Sequence, residues 1–214
     1  MSMFSSLKTS TVGISVFAVV TSAVIAITQV ATKDAIVTNE REAQARALYE
    51  ILPRELMDND LLNSAFDVVA PELGYGEQSI QGYRAIKDQE VVAVVLPMVA
   101  PDGYSGAIQI IAGFYADGRV AGVRVLGHKE TPGLGDKIEL AKSDWIKTFD
   151  GMEYVADYDP RWAVKKDGGD IDQFTGATIT PRAVINSVAR AAQYFKQNKE
   201  WLLTPVSSVS SDTQ

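Results

Sequence analysis

The sequence predicts an α+β fold, an antiparallel sheet packed with helices and hung from one N-terminal transmembrane helix. Three observations predict it. Residues 9–32, TSTVGISVFAVVTSAVIAITQVAT, carry no formal charge and are bracketed by Lys8 and Lys33. Between Gly82 and Leu126, four apolar or alternating runs are separated by turn chemistry. On either side of that block lie stretches whose apolar residues recur at helical spacing.

The elements follow in chain order. A helix over residues 9–32 would reach about 36 Å, enough to cross a hydrocarbon core of about 30 Å with some tilt. A cleaved signal peptide is the rival reading, but the small-x-small site it needs is poor: Val24-Ile25-Ala26 lies inside the apolar run, and Gln29-Val30-Ala31 has the wrong first residue. Lys8 on one side stands against Lys33, Arg41 and Arg46 on the other, and this balance does not fix the orientation. Residues 1–8 then form a short N-terminal segment, and 33–60 a stalk helix. Asn39 is its candidate cap, Ala43, Ala47, Leu48 and Ile51 recur on one face, and Pro53 stands near its end.

Residues 57–68 read as a short helix or loop. Strands are expected at Gly82–Ile86, Val91–Met98, Ala107–Tyr115 and Val120–Leu126, with turns at Lys87-Asp88, Pro101-Asp102-Gly103 and Asp117-Gly118. Helices are expected over Asp136–Phe149 and Thr180–Trp201. Residues 61–204 make up the soluble domain, and the Ser-rich tail 205–214 reads as disordered.

Composition removes several chemistries. With no cysteine there is no disulfide, thiolate metal site, cysteine-held iron–sulfur cluster or Cys nucleophile, and one histidine cannot build a multi-histidine centre. The net charge is −7, and Lys8 is the only charge before Lys33, so the acidity belongs to the rest of the chain. Nucleic-acid binding, which needs a basic face, is excluded. No acid–base pair or substrate pocket is legible, so no catalytic residue and no metal ligand is assigned.

Two segments are chemically unusual. In Asp172-Gln173-Phe174-Thr175-Gly176-Ala177-Thr178-Ile179-Thr180-Pro181-Arg182, Thr180 and Pro181 have the N-cap and N1 pairing of a helix start. Thr178 then sits on the turn just before the helix, where a phosphate would meet free N–H groups and the positive end of the dipole. By capping rules alone the same residues are also an ordinary threonine-rich helix start. In Gly127-His128-Lys129-Glu130-Thr131-Pro132-Gly133-Leu134-Gly135-Asp136, Pro132-Gly133 makes a tight turn, and Gly133 and Gly135 bare the backbone around Leu134. Such a loop could lie flat against a planar ring, or be a plain strand-to-helix turn capped by Asp136. His128 reads as a turn residue, and Lys165–Asp170 as a solvated turn.

Together these segments resemble a known family. DQFTGATITPRAV is similar to the acceptor motif for covalent flavinylation, Asp-x-x-Ser/Thr-Gly-Ala-Thr, in which a flavin transferase esterifies the last threonine with FMN. GHKETPGLGDKIE is similar to the loop of the same FMN-binding domain in the RnfG family, a component of the Rnf electron-transport complex. The one departure is Thr175, where many relatives have Ser, and it keeps the hydroxyl. The equivalent FMN component of a sodium-pumping NADH:quinone oxidoreductase resembles the chain in both motifs but tends to be longer. A cofactor-free, membrane-anchored structural or assembly protein is the alternative from another class.

The resemblance implies covalent FMN on Thr178. Asp172, Thr175, Gly176 and Ala177 would form the transferase-recognition turn and then the phosphate-side wall. Glu130, Thr131, Gly133 and Leu134 would face the isoalloxazine ring. It also implies a single-pass protein of a bacterial inner membrane, with residues 1–8 cytoplasmic and the FMN-binding domain periplasmic. There it would relay electrons within a complex that couples ferredoxin and NAD chemistry to ion movement. Its partners would be the other membrane and iron–sulfur or flavin subunits, and it would turn over no substrate by itself.

Overall fold

The structure, a computed structural model, describes residues 3–156 and 159–205. The chain divides into two units, Met1–Ala43 and Gln44–Gln214. The first is helical throughout its described part and belongs to α1, which runs Met3–Ile51. Within it Thr11–Lys33 is long and apolar enough to cross a membrane, with a mean hydropathy of 2.1 and none of its surface buried. Its threonines do not leave hydroxyls unsatisfied. Thr21, Thr28 and Thr32 each donate to the carbonyl four residues earlier, at 2.6, 2.8 and 2.8 Å.

The second unit begins inside α1. Leu48 and Ile51 are buried in the domain core together with Leu52, so the last two turns of the helix are part of the domain. The helix stops at Ile51 because Pro53 lacks the N–H and disfavours helical backbone before it. Residues 53–64 then form two short 310 turns, Arg54–Leu56 and Leu61–Ser64, rather than more stalk.

Five strands follow as an antiparallel meander in sequence order: β1 (Ala65–Val69), β2 (Ser79–Lys87), β3 (Glu90–Ala100), β4 (Ile108–Tyr115) and β5 (Val120–Gly127). β1 takes the end of the segment 57–68, which is otherwise the expected loop and short helical turn. The β2–β3 hairpin turns at Asp88 and Gln89, with φ of 50° and 68°, the left-handed pair that a type I′ turn requires.

The sheet is buried on both faces, which explains why β3 is apolar almost throughout. Val94, Leu96, Met98 and Ala100 point to one face, and Ala93 and Val95 to the other. On the second face Ile51 of α1 settles over the cross-strand pair Gly113 and Gly122. A Cβ on Gly113 would stand 2.5 Å from Ile51 Cγ2, so only glycine permits this approach.

The first face carries α2 (Ile179–Gln197), whose Ala183, Val184, Val188, Ala191, Ala192 and Phe195 are buried at helical spacing. Phe195 stacks on Phe114 of β4 at 5.2 Å. A short α3 (Lys199–Leu202) closes the domain, so the expected single helix to Trp201 is interrupted at Asn198. Asp136–Phe149 is not one helix. It forms two 310 stretches, Gly135–Ile138 and Asp144–Phe149. The second starts afresh because the Ser143 hydroxyl caps the Trp145 N–H, which buries Trp145, Ile146 and Phe149. Residues 206–214 of the expected tail lie outside the described residues.

Candidate functional site

The two segments singled out in the sequence converge at the N-terminus of α2. The first contains a type II turn. Ala177 N–H donates to Phe174 O at 3.2 Å, and Gly176 at the third position has φ of 83°. This places Thr175 at the exposed tip and Ala177-Thr178 directly below the helix. α2 begins two residues earlier than capping rules suggest: Thr178 occupies the N-cap and Ile179 the first helical position. Pro181 is still in the first turn, where its missing N–H has no partner to lose. The Thr180 side chain is engaged elsewhere, and Thr178 makes no side-chain capping bond.

The second segment forms a matching turn. Leu134 N–H donates to Thr131 O at 3.1 Å, with Pro132 and Gly133 (φ 78°) in the central positions of another type II turn. Gly135 N–H donates to the same carbonyl at 3.1 Å. Leu134 is thereby held over Gly176, its Cδ2 3.5 Å from where a Cβ on that glycine would stand. Asp136 is buried inside the following 310 turn rather than at its cap. Its Oδ1 has no hydrogen-bond partner among the described residues.

Between the two turns lies a cavity of about 500 Å³, within the range of small-molecule sites. Its walls include Glu130, Thr131, Leu134, Gly176, Ala177 and Thr178 of the residues expected at a flavin site, together with Tyr104, Gly135, Ile179 and Thr180. Leu134, Tyr104 and Ile179 are partly exposed apolar side chains at its edge.

Three expected residues are not in the lining. Gly133 and Thr175 sit at their turn tips, exposed. Asp172 points away, its Oδ1 paired with Lys165 Nζ at 2.7 Å, while its carbonyl accepts from Trp145 Nε1–H at 2.6 Å. Tyr104 and Thr180 reach the cavity without having been assigned to a ring wall. Tyr104 has no local pattern to mark it, and Thr180 reads as a cap until Glu130, fifty positions away, is seen beside it.

Glu130 ties the site together. It is buried, and its Oε1 accepts from Ser105 N–H at 2.9 Å while Oε2 accepts from the Thr180 hydroxyl. Its own N–H donates to His128 Nδ1 at 2.9 Å, and His128 Nε2 meets Glu139 Oε1 at 2.5 Å. Because Nδ1 accepts, the ring proton belongs on Nε2, facing Glu139.

The Lys165–Asp170 turn is more than a solvated loop. Asp167 takes Arg182 of α2 in a two-point contact at 2.6 and 2.8 Å, and that guanidinium holds the Asp167 carboxyl below its usual range. Lys165 N–H donates to Ile171 O, and Lys166 N–H to Gln173 Oε1, bracing the acceptor segment from outside.

The cavity suits FMN in size and donor type. It offers an apolar slot edged by Leu134 and Tyr104, and at its base the unpaired first-turn N–H groups of Ile179 and Thr180 that suit a phosphate. A methyl group at Gly135 would fill part of its wall, coming 2.8 Å from Glu130 Oε2.

Known families match both ends of the chain. Residues 103–193 match the FMN-binding domain family, and residues 1–51 the RnfG N-terminal region. The chain is 46% identical over 201 residues to the G subunit of the ion-translocating oxidoreductase complex of Vibrio atlanticus, spanning 94% of this chain and 96% of that one. It is 50% identical over 189 residues to the corresponding protein of Pseudomonas aeruginosa, 88% of each chain. To that of Escherichia coli K12 it is 54% identical over 159 residues, 74% and 76% of the two chains. These relatives favour the RnfG reading over the sodium-pumping and cofactor-free alternatives. The chain belongs to the RnfG family of ion-translocating oxidoreductase complexes and carries that family's FMN-binding domain.

Proposed function

We propose that this chain is a membrane-anchored electron relay whose FMN is joined through its phosphate to the Thr178 hydroxyl. One observation carries the choice of residue. Of the three threonines in the acceptor segment, Thr180 is buried and engaged by Glu130, and Thr175 is exposed outside the cavity. Thr178 faces the cavity with no hydrogen-bond partner for its hydroxyl among the described residues. Its oxygen is thus free to attack the flavin-side phosphorus of a flavin dinucleotide held by the transferase. The Thr178 O–P bond forms as the diphosphate P–O bond breaks, and the nucleoside monophosphate departs with the hydroxyl proton.

When bound, FMN supplies reversible electron uptake, which no side chain of this cysteine-free domain can provide. The protein's residues do the rest. The first turn of α2 meets the phosphate with Ile179 and Thr180 N–H groups and the positive end of its dipole, worth about 0.3–1 kcal/mol, or up to about 2 when partly buried. Leu134 and the Thr131 turn would cover the ring, with Gly133 setting the turn and Gly176 and Ala177 forming the phosphate-side wall. A phosphoester leaves the ring system unsubstituted, so the tether serves retention rather than electronic tuning.

Asp172 and Thr175, outside the cavity on the exposed face of the segment, are read as contacts for the flavin transferase. Residues 9–32 anchor the chain in a bacterial inner membrane, residues 1–8 face the cytoplasm and the FMN domain the periplasm. There the relay works beside the other membrane and iron–sulfur or flavin subunits of the complex. The test is ultraviolet fluorescence of the denatured full chain on a gel after co-expression with a flavin transferase. Wild type should fluoresce and Thr178→Ala should be dark; equal bands would place the flavin elsewhere, and a dark wild type would remove the covalent relay.

A further inference from the structure

We propose that Glu130 sets the electron affinity of this cavity, acting as a fixed negative charge that lowers the reduction potential of the flavin bound there. The inference rests on the reading of the cavity as the FMN site. Among the described lining residues Glu130 is the only one with a formal charge. It is 5% exposed, and both carboxylate oxygens accept hydrogen bonds from neutral donors, Ser105 N–H and the Thr180 hydroxyl. No ion pair to it is found among the described residues, and its neighbour His128 is bonded to the Glu130 backbone rather than to the carboxylate.

The carboxylate is also unable to swing away. A Cβ on Gly103 would come 3.0 Å from Oε1, and one on Gly135 2.8 Å from Oε2, so backbone closes on it from two sides. Thr180 lies in the first turn of α2, where the positive end of the helix dipole suits a negative charge. The result is an immobile anion in a wall that bulk salt screens poorly. An electron passed to the flavin by its redox donor without an accompanying proton would add negative charge to the same cavity, and Coulomb repulsion makes that uptake less favourable. Neutral donors soften this repulsion without cancelling it. The cavity is therefore built as a low-potential site.

The experiment is a redox titration, followed by flavin absorbance, of the FMN-loaded full chain in detergent. Glu130→Gln keeps size and one acceptor oxygen and should shift the potential positive. Thr180→Val removes a hydrogen bond but keeps the charge, so it should leave the potential unchanged or shift it negative. A positioning role without electrostatics predicts that both variants move together, and that result, or a Glu130→Gln potential equal to wild type, overturns the proposal. If Glu130→Gln fails to fold or load, wild type decides alone. Its potential should lie below that of free FMN in the same buffer, and a value at or above free FMN refutes the assignment. A wild type that never acquires flavin would instead refute the FMN reading on which the inference stands.

Discussion

Gly135→Ala probes the wall between the two turns most directly. The added methyl would stand 2.8 Å from Glu130 Oε2, 2.9 Å from Glu130 Cβ and 3.0 Å from Thr180 Oγ1. None of these is the loose end of a surface side chain, since Glu130 is buried and bonded through both oxygens. Overpacking of this kind costs about 1–3 kcal/mol. A displaced carboxylate also loses hydrogen bonds worth about 1.5–3 kcal/mol each, and the two effects share atoms, so they do not add. A net loss of about 2–4 kcal/mol follows, which for a domain of this size lowers Tm by roughly 5–15 °C.

Thermal unfolding of the detergent-solubilised chain, followed by the fluorescence of Trp145, Trp162 and Trp201, measures this loss, with Gly127→Ala as the control. A Cβ on Gly127 meets the Gln109 side chain, Oε1 at 3.5 Å and Cδ at 4.0 Å, both ordinary contacts, so that variant should stay within about 0.5 kcal/mol of wild type. A Gly135→Ala protein melting within about 2 °C of wild type would refute the picture of a rigid, carboxylate-braced wall.

Three further outcomes follow from the packing. Arg84 is 5% exposed, donates through Nε to Leu202 O at 2.8 Å and lies 3.8 Å over the Phe66 ring; Arg84→Ala should cost about 2–4 kcal/mol in denaturant titrations, and a loss under about 1 kcal/mol would contradict this. The Arg161 guanidinium holds the Asp159 carboxyl below its usual range, so this contact stabilises the fold above the unfolded carboxyl value and is lost as pH falls through the folded one. The Tm gap between wild type and Asp159→Asn should be small because Arg161 is half exposed, open at pH 7, and closed as pH falls below the ordinary carboxylate range; a gap independent of pH would contradict it. Finally, a fragment 44–214 should be soluble and cooperatively folded. One starting at residue 53 should aggregate, because it loses Leu48, Ile51 and Leu52 from the core, and equal behaviour of the two would refute that role for the end of α1.

The parts of the fold written in local pattern could be read from the sequence. A charge-free run of membrane length, alternating runs with Asp-Gly and Lys-Asp turns between them, and the apolar face of α2 each depend on neighbours within a few residues. β1 escaped because Ala65–Val69 is short and carries Asp67, and it becomes a strand only by pairing with β2. Asp136–Phe149 has helix-like composition, but Ser143 restarts the backbone and Trp145 is drawn toward Phe149 and Phe174.

At the site, the two turns were legible because Pro132-Gly133 and Thr175-Gly176 state their geometry locally. The bond between Glu130 and Thr180 joins residues fifty positions apart and leaves no local trace, which is why Thr180 reads as a cap. The outward turn of Asp172 toward Lys165 is likewise a tertiary choice, made by the Trp145 indole fixing the Asp172 carbonyl.

The central claim is a covalent flavin on one threonine of three. Trypsin digestion of the full chain, co-expressed with a flavin transferase, should release peptide 167–182, which contains Thr175, Thr178 and Thr180. Fragment mass spectrometry of that peptide should place the mass of FMN less one water on Thr178 alone. An unmodified peptide, or the added mass on Thr175 or Thr180, would contradict the account.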